Sequence, residues 1–212
     1  MIVTHAGKSP TIDPTAFIAP NATLCGDVTI GPNTSVGFNA VITAETGPVV
    51  IGSDCVIMEN AIIRGLKHFP TTIGDKVLVG PHTHLTGCTV EDCVYIATGA
   101  TIYDGAHVGQ GAKVDTNAVV YIGAKIGNNA TLHASDYAIG DPAEFIPVGN
   151  GGKIKTRQAQ YGFPARVFKA SQSSNNHSVM DEIMPRLAGK LVTGHRADVV
   201  TNLFGVKSKK AK

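Results

Sequence analysis

The chain has 212 residues, with 18 Lys and Arg against 16 Asp and Glu, a formal net charge of +2. That balance excludes the strong field that would point to nucleic acid or an acidic substrate. Hydrophobic residues make up 43% without a long apolar run, so a substantial core is expected and a membrane span is not. The opening residues, MIVTHAGKSP, are polar and do not read as a signal peptide. Cys25, Cys55, Cys88 and Cys93 are scattered without a CxxC pair. They suggest neither a disulfide framework nor a zinc knuckle, and a reducing, cytoplasmic setting is expected.

Along the chain an aliphatic residue returns every six positions: Ile12, Ile18, Leu24, Ile30, Val36 and Ile42. A small or β-branched partner follows four positions later at Ala16, Ala22, Val28, Thr34 and Ala40. Residues 44–50 (AETGPVV) interrupt the series, which resumes at Ile51, Ile57 and Ile63. Residues 64–72 interrupt it again. It then runs through Ile73, Val79, Leu85, Val90, Ile96, Ile102, Val108, Val114, Val120 and Ile126, with one shorter step between Leu85 and Val90. A helix repeats at 3.6 residues and a strand at 2, so neither explains this period. A six-residue period is the signature of a parallel β-helix, whose three short strands and three corners make a coil of about eighteen residues. The expected fold is an all-β solenoid: a left-handed parallel β-helix of hexapeptide repeats with a C-terminal α-helix.

The β-helix domain is expected over residues 1–135, followed by an irregular connecting segment, 136–177, with a flexible point at 149–152. A C-terminal helix and basic tail fill 178–212. The helix is predicted over 177–191, with Val179, Ile183, Met184 and Leu187 on one face and Pro185 as its weak point. The ending KSKKAK reads as a solvated terminus.

Three strands per coil fix which residues stack. Leu24, Ile42, Ile63, Leu85, Ile102 and Val120 should share one face. One corner should carry Asn21, Asn39, Asn60, His82, Gly99 and Asn117, mostly residue types that tolerate the left-handed conformation. The same count places Thr43, Arg64, Thr86, Tyr103 and Tyr121 in one outward column. The two interruptions should loop out from a corner, where sites and subunit contacts gather.

Several phrases carry a further signal: Gly26-Asp27-Val28-Thr-Ile30-Gly31, Phe38-Asn39-Ala40-Val41, Val79-Gly80, Gly87-Cys88 and Gly140-Asp-Pro-Ala143. Over roughly residues 10–145 the chain resembles the γ-class carbonic anhydrases and their relatives. The resemblance implies a homotrimer with zinc held by three histidines between neighbouring subunits. The matching positions here hold Arg64, Pro81 and Thr86. The family's adjacent arginine and aspartate become Thr43 and Glu45, and its Gln-Asp pair becomes Met58 and Glu59. No metal is expected at the family positions, because guanidinium stays protonated and repels a dication.

His82 and His84 are the candidate catalytic residues, as a displaced metal site or as a general base facing a neighbouring subunit. The plainer alternative makes His82 a corner residue and His84 a polar surface residue. His68, in the second interruption, is within reach of the same cleft, though a lone loop histidine usually faces solvent. Arg64, Glu45, Glu59, Thr86 and Tyr103 form a candidate interface or anion site, either an ion pair bridging subunits or a pocket for a carboxylate or phosphate. Three functions follow. The first is a γ-carbonic-anhydrase-like homotrimer without CO₂ hydration, acting in binding, structure or a changed reaction. The second is a hexapeptide-repeat acyltransferase using acyl-CoA and a histidine base. The third is a hydratase with zinc in a rebuilt site at His82 and His84. Neither nucleic acid nor a membrane is an expected partner.

Overall fold

The computed structural model describes residues 1–161 and 176–201. Most strands are two or three residues long, because a corner returns after every six. The aliphatic series points inward: Leu24, Ile42, Ile63, Leu85, Ile102 and Val120 are all 0% exposed. They form a column in the predicted register, built from parallel neighbours Thr23–Ile30, Val41–Ile51, Ile62–Arg64, His84–Thr86, Thr101–Ile102 and Val119–Val120. On the preceding face Ile18, Val36, Ile57, Val79, Ile96, Val114 and Leu132 stack in the same way. The molecule is thus a parallel β-helix, left-handed as the hexapeptide period implies.

The predicted corner column adopts positive φ at Asn39 (58°), Asn60 (60°), His82 (57°), Gly99 (70°) and Asn117 (55°). Asn21 is not in that conformation; its side-chain amide instead donates to Asn39 Oδ1 at 2.7 Å.

The insertions gather at the corner that follows the third face. Gly26 pairs with Ala44 and Val28 with Val49, so residues 45–48 bulge out opposite Asp27. The flanking residues of that interruption stay in the ladder, inside the long strand Val41–Ile51. After Arg64 the chain makes a turn closed by a Leu66–Phe69 bridge, and in the first coil His5 and Lys8 close a similar turn. The three excursions form a ridge beside one column. The close fit is visible at Gly47, where an added Cβ would lie 2.1 Å from the Leu66 carbonyl oxygen. Backbone cannot swing aside, so Gly47→Ala is expected to cost about 1–3 kcal/mol. A lower urea midpoint at unchanged m-value would report it.

One strand edge at each end of the solenoid is covered. Tyr137–Ile139 adds a further rung and pairs antiparallel with Glu144–Ile146. At the other end Val199–Thr201 pairs antiparallel with Ile2–Thr4. Such caps remove the strand edges that would otherwise template aggregation.

The stretch expected to be irregular therefore contains a hairpin, and also helix α1, Gly151–Ala159. Asn150 caps α1 by accepting from Lys153 N at 3.4 Å. Its sole buried residue among nine is Ile154, packed against Ile139 and Ile146, so no periodic signal marked it. Two glycines in its first turn read instead as a flexible point. Helix α2 spans Asn176–His195, longer than predicted, with Pro185 inside it. Val179 and Ile183 are buried, but Met184 is 40% exposed and Met180 packs in its place. The basic tail lies outside the described residues. No helix among those described is long and apolar enough to cross a membrane.

Candidate functional site

Alternation along the third-face strands decides which side chains face out. With Leu85 pointing inward, His84 and Thr86 both point outward. His84 Nε2 and Thr86 Oγ1 lie 2.8 Å apart. Register places Arg64 beside Thr86 on one side and Thr43 on the other, with Cys25 one coil further. The backbone under Arg64 is fixed: its carbonyl accepts from Gly87 N at 2.9 Å and from Thr71 Oγ1 at 2.5 Å.

Arg64 sits among three titratable groups. Its Nη2 is 3.5 Å from Glu45 Oε2, and the two side chains are 39% and 21% exposed. A contact that long and that open contributes at most about 1 kcal/mol. Asp104 is buried, and burial raises its carboxyl above the usual range, while the Arg64 guanidinium opposes that rise. Burial and then the same guanidinium lower the His84 pKa, which holds the imidazole neutral at pH 7. The column therefore carries the Arg64 cation and the hydroxyls of Thr43, Thr86, Tyr103 and Tyr121, with the neutral His84 imidazole alongside, bonded to Thr86.

The 66–69 turn lies along the corner beside this column, against the 45–48 bulge. Phe69 lies against two corner glycines: a Cβ on Gly87 would stand 2.6 Å from Phe69 Cβ, and one on Gly105 3.1 Å from its ring. Gly87 has φ 56°, which adds a conformational reason for glycine. Further along, Tyr103 and Tyr121 meet edge to face at 5.8 Å, and Tyr121 meets Tyr161 at 5.7 Å.

Not every candidate comes to this place. Glu59 is exposed at the preceding corner, at the other end of the strand from Arg64. His82 sits at that same corner, its backbone N donating to the Glu59 carbonyl at 3.1 Å. It takes the asparagine-like corner role rather than joining His84. His68 is exposed on the 66–69 turn. Arg64, Glu45, Thr86 and His84 are brought together, with Tyr103 next along the column.

Two neighbours escaped the sequence reading, Asp104 and Phe69. Asp104 had a signal. It stands two positions after Ile102, where the other coils have Gly26, Ala44, Gly65, Gly87 and Ile122. An acid in a column of glycine and apolar residues marks a buried charge. Phe69 lay in an interruption, where the repeat gives no direction.

Comparison with known proteins supports this architecture. Residues 9–44 match the bacterial transferase hexapeptide model (six repeats), and residues 27–64 match the hexapeptide repeat of succinyl-transferase. Gamma carbonic anhydrase 3, mitochondrial, of Arabidopsis thaliana is 39% identical over 97 residues, covering 43% of this chain and 38% of that protein. A carbonic anhydrase of Geobacillus kaustophilus is 44% identical over 80 residues, covering 38% of this chain and 44% of that one. The solved structure of a candidate acetyltransferase from Bacillus cereus superposes with a TM-score of 0.58 at 30% identity, covering 73% of this chain and 88% of the other. Fold and repeat together define a β-helix protein built from hexapeptides. The matched stretch spans less than half the length of the two carbonic anhydrases. The chain belongs to the hexapeptide-repeat family and is a γ-carbonic-anhydrase-like member of it.

Proposed function

We propose that the protein is a γ-carbonic-anhydrase-like homotrimer without CO₂ hydration, whose third-face column binds a small anion at the boundary between subunits. The observation that carries this is Arg64, a permanent cation at the position matching a family zinc ligand, set against Glu45 and beside the His84–Thr86 pair. A catalytic zinc needs three protein ligands and an open position. The matching positions offer a guanidinium, a proline with no donor atom, and a hydroxyl already bonded to His84. That set does not fit the metal. It does suit an anion, which a guanidinium fork grips through two parallel hydrogen bonds with hydroxyls alongside.

Trimer formation is supported by apolar residues exposed in one ladder on the second face, Phe17, Val56 and Tyr95, together with Phe38 at the next corner. A neighbouring subunit would cover such a surface, and closed cyclic symmetry is the usual arrangement.

One observation favours acyl transfer as the alternative: the neutral His84 imidazole, already hydrogen-bonded to a hydroxyl. The likeness to the Bacillus cereus structure points the same way. His84 would accept the proton of an acceptor hydroxyl or amine as that atom attacks the thioester carbonyl. CoA thiolate would leave and take up the proton.

The two are separated by measuring CO₂ hydration with zinc supplied, beside thiol release from acetyl-CoA. Hydration at the uncatalysed rate is expected. Zinc-dependent hydration by the natural chain would overturn the proposal. Steady thiol release, lost about 100-fold in His84→Asn, would establish the transferase instead. Its rate would reach half-maximum below pH 6.5, since the His84 pKa is lowered.

A further inference from the structure

We propose that His5, His195 and Asp198 form a binding site for one divalent transition-metal ion of the zinc class, which clasps the C-terminal strand to the first coil. The site goes beyond the function proposed above and does not rest on it. Among the described residues these three are the group of His, Cys, Asp or Glu side chains whose donor atoms, all within 4.8 Å of one another, are placed to share an ion.

The geometry comes from the two ends of the chain. His5 opens the first turn of the ridge and is buried. His195 is the last residue of α2, and Asp198 precedes the strand Val199–Thr201 that pairs with Ile2–Thr4. The two Asp198 oxygens each meet a different imidazole: Oδ1 lies 2.8 Å from His5 Nδ1, and Oδ2 lies 2.7 Å from His195 Nδ1. The rings are 4.6 Å apart, tilted by 38°.

Two imidazole nitrogens and one carboxylate make the donor set that zinc and its first-row neighbours prefer over calcium or magnesium. Zinc bonds of about 2.0–2.2 Å place tetrahedral donors a little over 3 Å apart, so donor atoms that all lie within 4.8 Å of one another need side-chain adjustment only to share the ion. One further feature favours a cation: the site lies at the C-terminal end of α2, the negative end of the helix dipole. A groove of about 180 Å³, lined by His5, Lys8, Asp27 and Glu45, runs alongside and gives water access for a fourth ligand.

The test uses the full chain purified without a histidine tag, stripped with EDTA and titrated with ZnCl₂ and with CoCl₂. About one equivalent of ion is expected, with a visible cobalt spectrum and a rise in melting temperature of several degrees. His195 is exposed, so His195→Ala should fold normally and bind zinc at least about tenfold more weakly. Asp198→Asn should behave likewise, and His84→Ala should bind zinc as the natural chain does. A chain that binds no ion, or whose binding is unchanged in His195→Ala, overturns the site and leaves the cluster a hydrogen-bonded clasp. Binding lost in His84→Ala but kept in His195→Ala also overturns it, and separately refutes the metal-free column.

Discussion

Replacing Arg64 with alanine is expected to abolish stabilisation of the protein by small anions. In the natural chain, phosphate or bicarbonate at about a hundred times its dissociation constant should add about 2.7 kcal/mol of stability, which the variant should lose entirely. Without anion, loss of the exposed Arg64–Glu45 contact itself should cost no more than about 1 kcal/mol. A second consequence identifies the cause. Arg64 is the cation that opposes the upward shift of the buried Asp104 carboxyl. A folded pKa above the unfolded one means the native state binds more protons between the two values, so stability falls as pH rises through that window. With Arg64 gone, the Asp104 pKa rises further and the window widens upward. The variant should therefore lose more stability than the natural chain does as pH rises above the ordinary aspartate range. Arg64→Lys keeps the charge without the fork and should retain part of the anion effect. Thermal melts in phosphate, bicarbonate and chloride across pH measure both. Undiminished anion stabilisation in Arg64→Ala would sink the anion site.

How much of this column could be read from the sequence follows from the physics of a solenoid. Each coil repeats the last, so the six-residue count fixes which residues stack. Thr43, Arg64 and Thr86 fall into line without any knowledge of coordinates. The same count placed His82 at a corner, and its positive φ agrees. What the count cannot supply is direction outside the repeat. Residues 45–48 and 66–69 leave the ladder, so the contact of Glu45 with Arg64 and the cover provided by Phe69 depend on turn geometry. Glu59 was grouped with Arg64 by family correspondence alone, and within one chain the length of a strand separates them. The His5–Asp198–His195 cluster was out of reach for a different reason. It joins residues at opposite ends of the chain through an antiparallel strand that belongs to no repeat.

The placement of the site also follows from how a β-helix must be built. The inner face is filled by aliphatic side chains and the flat outer faces have little relief. Three excursions at one corner raise a wall beside a single outward column, and one strand edge at either end is paired, by Val199–Thr201 and by Glu144–Ile146. Charged groups collect where the wall excludes some water but leaves the column open along its length. This is where Arg64 can act on both His84 and Asp104.

Leu85→Ala is expected to be the most destabilising single change, at about 2–5 kcal/mol. Leu85 is 0% exposed in the middle of the stack, with Ile63 and Ile102 as neighbours in adjacent coils. Truncation leaves a cavity that neither neighbour can fill, because each is held in register by its own ladder. Ile12 has the same repeat position near the start of the chain but is only partly buried, and its strand pairs with a single neighbouring strand. Ile12→Ala should cost no more than about 1.5 kcal/mol, since less surface leaves water and the first coil has more room to relax. Urea unfolding of both variants gives the comparison. In a stack stabilised by nearest-neighbour interfaces, a defect in the centre weakens the coupling between two halves, so Leu85→Ala should also lower the m-value as those halves begin to unfold separately. Equal losses from the two substitutions would mean that stability is spread evenly along the chain and not carried by contacts between adjacent coils.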